Sequence, residues 1–302
     1  MEKDANPGIL DRQLAAKHAL AQAPLHSVVD QVVDYGTQII MSTFESAEVR
    51  GAELIVAVGV LAKDVVAKLD GAVMLARSGC NTSALPVYRS LLESDVTLRW
   101  ILQSDTKSRS THYWVAHLLR HKKDLESQLP GGRYHREASD DGGHILDAAK
   151  VRAEIARVDA ALQPPSMATA LGEVGPDQRR GRFWASALGP KTFEQLCEKI
   201  DAWTEYEIFY RMLSGAAHGI DPRFHVQLQD GTVGLESIRD QHNAAGHLLR
   251  ATYLTIHTYH QVLTKFQPGE LLSYSENYRV NWRPALMDAA NTVPGYEPPE
   301  PK

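Results

Sequence analysis

The stretch that decides the fold is residues 85–103, LPVYRSLLESDVTLRWILQ. At about 100° per residue, its apolar side chains fall on two faces of a helix rather than on one. A helix that is apolar on two faces is usually buried, so we expect this segment in the centre of a helical bundle. Pro86 is expected in its first turn, where a missing N–H costs least.

Charged side chains interrupt this apolar helix. Arg89 and Arg99 lie within or beside one of the two apolar faces, the one that carries Leu85, Tyr88, Leu92 and Val96. Glu93 follows Arg89 by one turn. Buried charge is costly unless it is paired and hydrogen-bonded. One interpretation is therefore an ion pair between Arg89 and Glu93 that is satisfied within the core. The other is a polar cavity that addresses a ligand or phosphate, because a guanidinium suits carboxylate and phosphate equally well.

Helical periodicity continues over most of the chain on both sides of this segment. Further helices are predicted at residues 9–22, 25–46, 49–78, 107–129, 145–162, 192–200, 203–217 and 237–266. Gly79 is expected to end the third of these, and Ser237 to cap the last. Apolar alternation around Asp230-Gly231 predicts one small β-hairpin near residues 223–236. The predicted fold class is all-α, mainly a helical bundle with this single hairpin.

Composition shifts divide the chain into three predicted parts. Residues 1–48 are expected to form an N-terminal helical extension, residues 49–267 the bundle, and residues 268–302 an irregular C-terminal tail. Within the bundle, stretches rich in glycine and proline predict loop insertions at 130–143 and 163–181.

Composition also limits the classes of function. The 302 residues carry a formal net charge of −5, so any contact with nucleic acid would rest on a local basic patch. The two cysteines, Cys80 and Cys197, form neither a disulfide framework nor a zinc ribbon, and they fit a reducing compartment. We found no signal-peptide core and no apolar stretch long enough for a bilayer. The expectation is a cytoplasmic protein that does not associate with membranes.

The most informative segment for function is residues 206–218, YEIFYRMLSGAAH. Arg211, Ser214 and His218 share one helical stripe, and the first and last of them are about 10 Å apart along the axis. An imidazole exchanges a proton near neutral pH and a guanidinium stabilises phosphate charge, so the pair suits phosphodiester cleavage. The alternative is that Arg211 pairs with Glu207 one turn back, while His218 caps its helix or packs in the core.

The spacing from Arg211 to His218 resembles the R-x4-6-H pattern of the HEPN superfamily. The wider layout resembles an uncharacterised bacterial all-helical family that is related to HEPN domains. The matching segments are residues 88–93 (YRSLLE), Phe183-Trp184, Tyr206, residues 210–218, the Asp230-Gly231 hairpin and the final long helix. The resemblance covers residues 50–266. HEPN nucleases usually carry a polar residue directly after the arginine, where this chain has Met212.

The resemblance implies a dimeric helical bundle with metal-independent ribonuclease or toxin activity, in phage defence or a toxin–antitoxin system. It implies His218 as the proton-transfer residue and Arg211 as the phosphate contact. It also implies RNA and an antitoxin or defence-system protein as partners. The polar pocket expected around the pair consists of Arg89, Glu93, Arg99, Glu207, Tyr210 and Ser214.

No cofactor and no metal are expected. His257 and His260 lie three residues apart on the last long helix, but no carboxylate lies one turn from them and no H-E-x-x-H motif occurs. A metal-dependent enzyme is therefore the weakest hypothesis. The main alternative to a ribonuclease is a non-catalytic helical module for binding or regulation, in which the charged residues form closed, buried pairs.

Overall fold

Long helices make up most of the described chain. The computed structural model describes residues 10–47, 52–141, 147–174, 183–217, 225–229, 232–235, 237–239 and 243–293. The helices are α1 (Arg12–Ala21), α2 (Ala23–Ala47), α3 (Ala52–Arg77), α4 (Asn81–Gln103), α5 (Thr106–Gln128), α6 (Arg133–Asp140), α7 (Ala148–Ala161), α8 (Pro165–Glu173), α9 (Phe193–Lys199), α10 (Arg211–Ala217), α11 (Ala244–Phe266), α12 (Leu271–Asn277) and α13 (Arg283–Asn291). Short 3-10 turns lie at Trp184–Leu188 and Pro268–Glu270, and π-helical turns at Glu205–Tyr210 and Tyr278–Trp282. The predicted all-α fold is confirmed, and no helix within these ranges has the length and apolar character needed to cross a bilayer.

The predicted hairpin is confirmed as well. Strands β1 (Val226–Gln229) and β2 (Thr232–Leu235) pair in an antiparallel register that sets Val226 opposite Leu235. The turn dipeptide Asp230-Gly231 lies outside the described residues.

Helix α4 lies at the centre of the bundle, as its two-faced apolar pattern predicts. Side chains on both faces are fully buried, including those of Tyr88, Leu91, Leu98 and Ile101. The helix packs most extensively against α3 and also contacts α5, α10 and α11. Burial on every side explains why this segment is apolar around most of its circumference.

Two helix boundaries show how local chemistry sets the ends. Gly79 has a φ of 70°, and its N–H donates to the carbonyl of Ala76 at 2.9 Å, so α3 ends where the sequence predicts. Helix α4 begins at Asn81, one turn earlier than predicted. Pro86 is therefore inside the helix rather than in its first turn. A proline inside a helix removes one backbone hydrogen bond, and its ring crowds the carbonyl four residues earlier. Packing of α4 in the core outweighs this cost.

The start of α11 corrects the predicted cap at Ser237. The helix begins at Ala244, directly after Asn243 in the left-handed conformation with a φ of 56°. The Ser237 hydroxyl instead accepts a hydrogen bond from the N–H of Arg239 at 3.2 Å. Serine makes the same local contact in turns as in helix caps, so the sequence signal was ambiguous.

Three segments that the sequence predicts as irregular contain helices, so that prediction is wrong for them. The insertion predicted at 130–143 contains α6, and the one at 163–181 contains α8, with Pro165 at its first position. The tail predicted from residue 268 is helical through α12 and α13. Proline is favourable at a helix start, and burial against a core stabilises helices too short to form alone.

Buried side chains form two clusters. The larger runs from α2 to α13, so that Val29 near one end of the chain and Trp282 near the other belong to one core. The smaller cluster joins α5 to α7 and α8 through residues such as Val115, Val151 and Met167. The division of the chain into extension, bundle and tail stays a prediction.

Candidate functional site

Arg211 lies on the surface at the start of α10. Its Nη1 donates to Glu207 Oε1 at 2.6 Å, and 63% of its side chain is exposed. This is the local ion pair that the alternative interpretation predicts. His218 follows the last described residue of α10 and lies outside the described residues. Its predicted proximity to Arg211 therefore stays a prediction.

The residues that follow Arg211 make contacts within their own helix and with the core. The Ser214 hydroxyl donates to the carbonyl of Tyr210 at 2.8 Å, a contact that serine commonly makes inside helices. Met212 is half-buried and packs against the main core, which accounts for an apolar side chain directly after the arginine. Ser214 therefore contacts the backbone of its own helix rather than the guanidinium of Arg211.

A π-helical turn, Glu205–Tyr210, precedes α10 and decides which side chains face the bundle. Its wider hydrogen-bond spacing rotates the following residues relative to a continuous α-helix. Phe209 is buried, Tyr210 is half-buried, and Arg211 is exposed. A pattern analysed at constant helical period does not reveal this rotation. The turn brings the Tyr210 hydroxyl to α4.

Arg89, Glu93 and Tyr210 form a closed hydrogen-bonded triad. Arg89 donates from Nε to Glu93 Oε1 at 3.2 Å and from Nη2 to the Tyr210 hydroxyl at 2.9 Å. That hydroxyl donates in turn to Glu93 Oε1 at 3.1 Å. Burial lowers the pKa of Arg89, but the contacts with Tyr210 and Glu93 outweigh it, and the net pKa is raised. Burial also raises the pKa of Tyr210, which stays a neutral donor at physiological pH.

Arg99 belongs to a different and more deeply buried network. Its Nη1 donates to Asp95 Oδ2 at 3.3 Å, and the Thr258 hydroxyl donates to Asp95 Oδ1 at 2.5 Å. The Asp95 side chain is fully buried and that of Arg99 is 9% exposed. Burial raises the pKa of Asp95 although Arg99 opposes the shift. This network ties α4 to α11, and the structure does not bring Arg99 into the triad.

A cleft of about 800 Å³ opens between α3, α4, α5 and the turn at Trp184–Leu188. Glu93 and Tyr210 of the triad line it, so two of the predicted pocket residues do border an open cavity. The cavity lies within the size range of pockets that hold small organic ligands. Arg211 does not line this cavity, and the binding-module hypothesis stays a prediction.

Most of the cleft wall was missed at the sequence level. The face of α5 that lines it carries Tyr113, His117, Arg120 and Lys123, spaced by three or four residues. This polar stripe was present in the helix predicted at 107–129 and could have been found by its helical spacing. The residues opposite it on α3 and α4 become neighbours only through tertiary packing.

Together the fold and the cavity define a mainly helical protein with a polar, aromatic-lined cleft beside the Arg89–Glu93–Tyr210 triad. The chain belongs to a family of unknown function, DUF5677, whose model matches residues 56–231. That range includes the triad and every residue lining the cleft. No curated protein and no solved structure shows a significant match to the chain. The expected membership of an uncharacterised family is confirmed, and its relationship to the HEPN superfamily stays a prediction.

Proposed function

We propose that this chain is a HEPN-like, metal-independent endoribonuclease of a bacterial defence or toxin–antitoxin system. Arg211 is the phosphate contact and His218 the proton-transfer residue. The protein acts in the cytoplasm as a homodimer on RNA, and an antitoxin or defence-system protein controls it. The observation that carries the proposal is the exposed side chain of Arg211, 63% of which is open to solvent.

The ion pair with Glu207 is compatible with this role. An exposed pair of this kind contributes only about 0–1 kcal/mol, so an incoming phosphate can replace the carboxylate at little cost. The planar guanidinium then makes two parallel hydrogen bonds to phosphate oxygens. When no RNA is bound, the carboxylate of Glu207 binds the guanidinium in the place that the phosphate would otherwise take.

The chemistry needs no metal. The imidazole of His218 accepts the proton of a ribose 2′-hydroxyl, whose oxygen attacks the adjacent phosphorus. The bond from phosphorus to the 5′-oxygen breaks, and that oxygen takes up a proton as it leaves. Arg211 stabilises the negative charge that develops on the phosphate oxygens. The products are a 2′,3′-cyclic phosphate and a 5′-hydroxyl.

The test is cleavage of an end-labelled single-stranded RNA by purified protein in the presence of EDTA, followed by gel electrophoresis. We expect His218→Ala to reduce the rate by about 10²–10⁴-fold, because that is the usual contribution of a general acid or base. Arg211→Gln is expected to reduce it as well. A matched control is Arg133→Gln, which breaks an equivalent exposed i, i+4 pair with Glu137, 2.8 Å long, in α6.

Two results would contradict the ribonuclease proposal. One is intact RNA after prolonged incubation with stoichiometric wild-type protein. The other is a His218→Ala variant that cleaves as fast as the wild type, because the observed activity would then come from another group or a contaminant.

A non-catalytic binding or regulatory module is the second candidate function. The observation that favours it is the closed triad, in which Arg89, Glu93 and Tyr210 satisfy one another and leave the neighbouring cleft for a ligand. The same cleavage assay separates the two candidates. Retained binding of the intact RNA in a gel-shift experiment, without cleavage, would support the binding module.

A further inference from the structure

A second pocket, of about 420 Å³, lies between α1, α2 and α3, and neither the triad nor Arg211 lines it. One wall of the pocket, called the apolar wall below, consists of Ala16, Ala19, Leu20 and Ala23. The opposite side is polar and carries His26, Ser27, Asp30 and Arg77. Of all these residues only Arg77 falls within the range that the family model matches, so the pocket belongs mainly to the first two helices of this chain.

His26 brings a buried polar atom without a partner to this pocket. The residue is 3% exposed, and its Nε2 has no hydrogen-bond partner among the residues that the structure describes. The same is true of the side-chain oxygen Oε1 of Gln22, one turn earlier, whose backbone carbonyl accepts from the N–H of His26 at 3.0 Å. Buried polar groups in folded proteins are nearly always paired. Two such atoms one turn apart therefore require a hydrogen-bonding partner from outside the described residues.

The protonation state of His26 indicates what kind of group that partner is. Burial lowers the pKa of His26, and the charge of Arg77 lowers it further, against the opposing effect of Asp30. The imidazole is therefore neutral at physiological pH, and a neutral imidazole can present Nε2 as an acceptor. The amide oxygen of Gln22 is also an acceptor. An ammonium group, which has three hydrogens to donate, suits both atoms.

The ion pair between Arg77 and Asp30 uses only part of the hydrogen-bonding capacity of each group. Arg77 donates from Nη2 to Asp30 Oδ2 and to the carbonyl of His26, the latter at 3.2 Å. Its Nη1 faces the sulfur of Met74 at 4.0 Å, which is a weak acceptor. Within the described residues, Asp30 Oδ1 has no hydrogen bond. Both side chains are partly exposed, so Nη1 and Oδ1 remain available to a ligand while the ion pair stays intact.

We propose that this pocket binds a free α-amino acid with an apolar side chain. The α-ammonium group donates to Asp30 and to Nε2 of His26, the α-carboxylate accepts from Nη1 of Arg77, and the side chain packs on the apolar wall. The two charges of an amino acid are carried by one carbon atom, which matches the direct contact between Arg77 and Asp30. An amine without a carboxylate would be repelled by Arg77, and a carboxylate without an amine by Asp30, so the pair selects a zwitterion. This site does not depend on the ribonuclease proposal.

The experiment is isothermal titration of the full-length protein with L-alanine, L-valine, L-leucine and L-phenylalanine at low ionic strength. We expect at least one of them to bind, with one molecule per chain. Its amide, which lacks the carboxylate, and its N-acetyl derivative, which lacks the ammonium group, should each bind at least tenfold more weakly, because each loses a charge-assisted hydrogen bond. Glycine should also bind at least tenfold more weakly, since it has no side chain to pack on the apolar wall.

Variants of the polar side test the same contacts from the protein. Arg77→Gln and Asp30→Asn should each weaken binding of the preferred amino acid by about tenfold or more, and His26→Phe, which keeps a ring but removes Nε2, should weaken it several-fold. A variant that carries both Arg77→Gln and Asp30→Asn leaves neither charge unpaired, so it should stay folded by circular dichroism and still bind weakly. The control is Arg157→Gln, which removes an exposed arginine that pairs with Glu154 at 2.8 Å and does not line the pocket. It should bind the amino acid as tightly as the wild type does.

Several outcomes would overturn the proposal. One is the absence of binding of all four amino acids at millimolar concentration, and another is wild-type affinity in the folded double variant. An amide or N-acetyl derivative that binds as tightly as the amino acid would show that the pocket does not select a zwitterion. Glycine that binds as tightly as the preferred amino acid would remove the role of the apolar wall.

Discussion

Gly36 lies where α2 packs directly against Tyr259 of α11, and replacing it with alanine tests the packing of the core. A Cβ at this position would lie 1.9 Å from the hydroxyl oxygen of Tyr259 and 2.7 Å from Cγ2 of Val66. The same hydroxyl donates to the carbonyl of Val32 at 3.0 Å, and both residues are buried. The alanine methyl group therefore has to displace the tyrosine ring and break its hydrogen bond.

The expected loss of stability follows from three contributions. Overpacking a well-packed core costs about 1–3 kcal/mol. Loss of the buried hydrogen bond adds about 1 kcal/mol. Alanine in a helix interior recovers about 1 kcal/mol relative to glycine. We therefore expect Gly36→Ala to lower the free energy of unfolding by about 1–3 kcal/mol.

Urea denaturation followed by circular dichroism measures this change through the midpoint of the transition. The matched control is Gly71→Ala in α3, where a new Cβ would meet no atom within 4 Å. That variant gains the helical preference without a clash, so it should be more stable by about 0.5–1 kcal/mol. The two variants differ only in what surrounds the methyl group.

The hydroxyl oxygen of Tyr259 is the atom nearest to the new methyl group, so a double-mutant cycle with Tyr259→Phe tests whether it is the obstacle. In a Tyr259→Phe background the nearest atom is absent, and Gly36→Ala should cost less than in the wild type. A Gly36→Ala variant that is as stable as Gly71→Ala would refute the close approach of α2 and α11. An equal cost in both backgrounds would show that the hydroxyl is not the obstacle.

Two further predictions concern the buried ion pair. Arg99→Met should lower the free energy of unfolding by about 3–5 kcal/mol, because it leaves Asp95 buried without its cation. The control, Arg211→Met, removes an exposed pair and should lower it by less than about 1 kcal/mol. Equal losses of stability in urea denaturation would contradict the role of burial. The second prediction is a pH dependence. Since burial raises the pKa of Asp95, its contribution to stability is present below the unfolded pKa and is lost as pH rises through the folded pKa. Asparagine does not titrate, so the stability advantage of wild type over Asp95→Asn should shrink as the pH rises above about 4, the usual pKa of an aspartate. A difference that stays constant with pH would show that Asp95 does not titrate as proposed.

The candidate site shows which contacts can be predicted from the spacing of residues along one helix and which cannot. Arg89 and Glu93 are one helical turn apart, and this spacing alone predicts their ion pair. Tyr210 completes the triad from 117 positions away from Glu93, and it lies at the end of a π-helical turn, which an analysis at constant helical period does not reveal. The polar pocket was predicted to include Arg99, but a position ten residues from Arg89 on α4 contacts different neighbours.

The sequence by itself determined the long helices, the position of the hairpin and the central place of α4. These features depend on helical period, turn dipeptides and the distribution of apolar residues, all of which act over a few neighbouring positions. Only the tertiary structure decided that α12 and α13 are helical, that Asp95 and Thr258 share a buried network, and that Arg120 and Trp184 border one cleft. Those features depend on distances between segments remote along the chain, which the packing of the whole core sets.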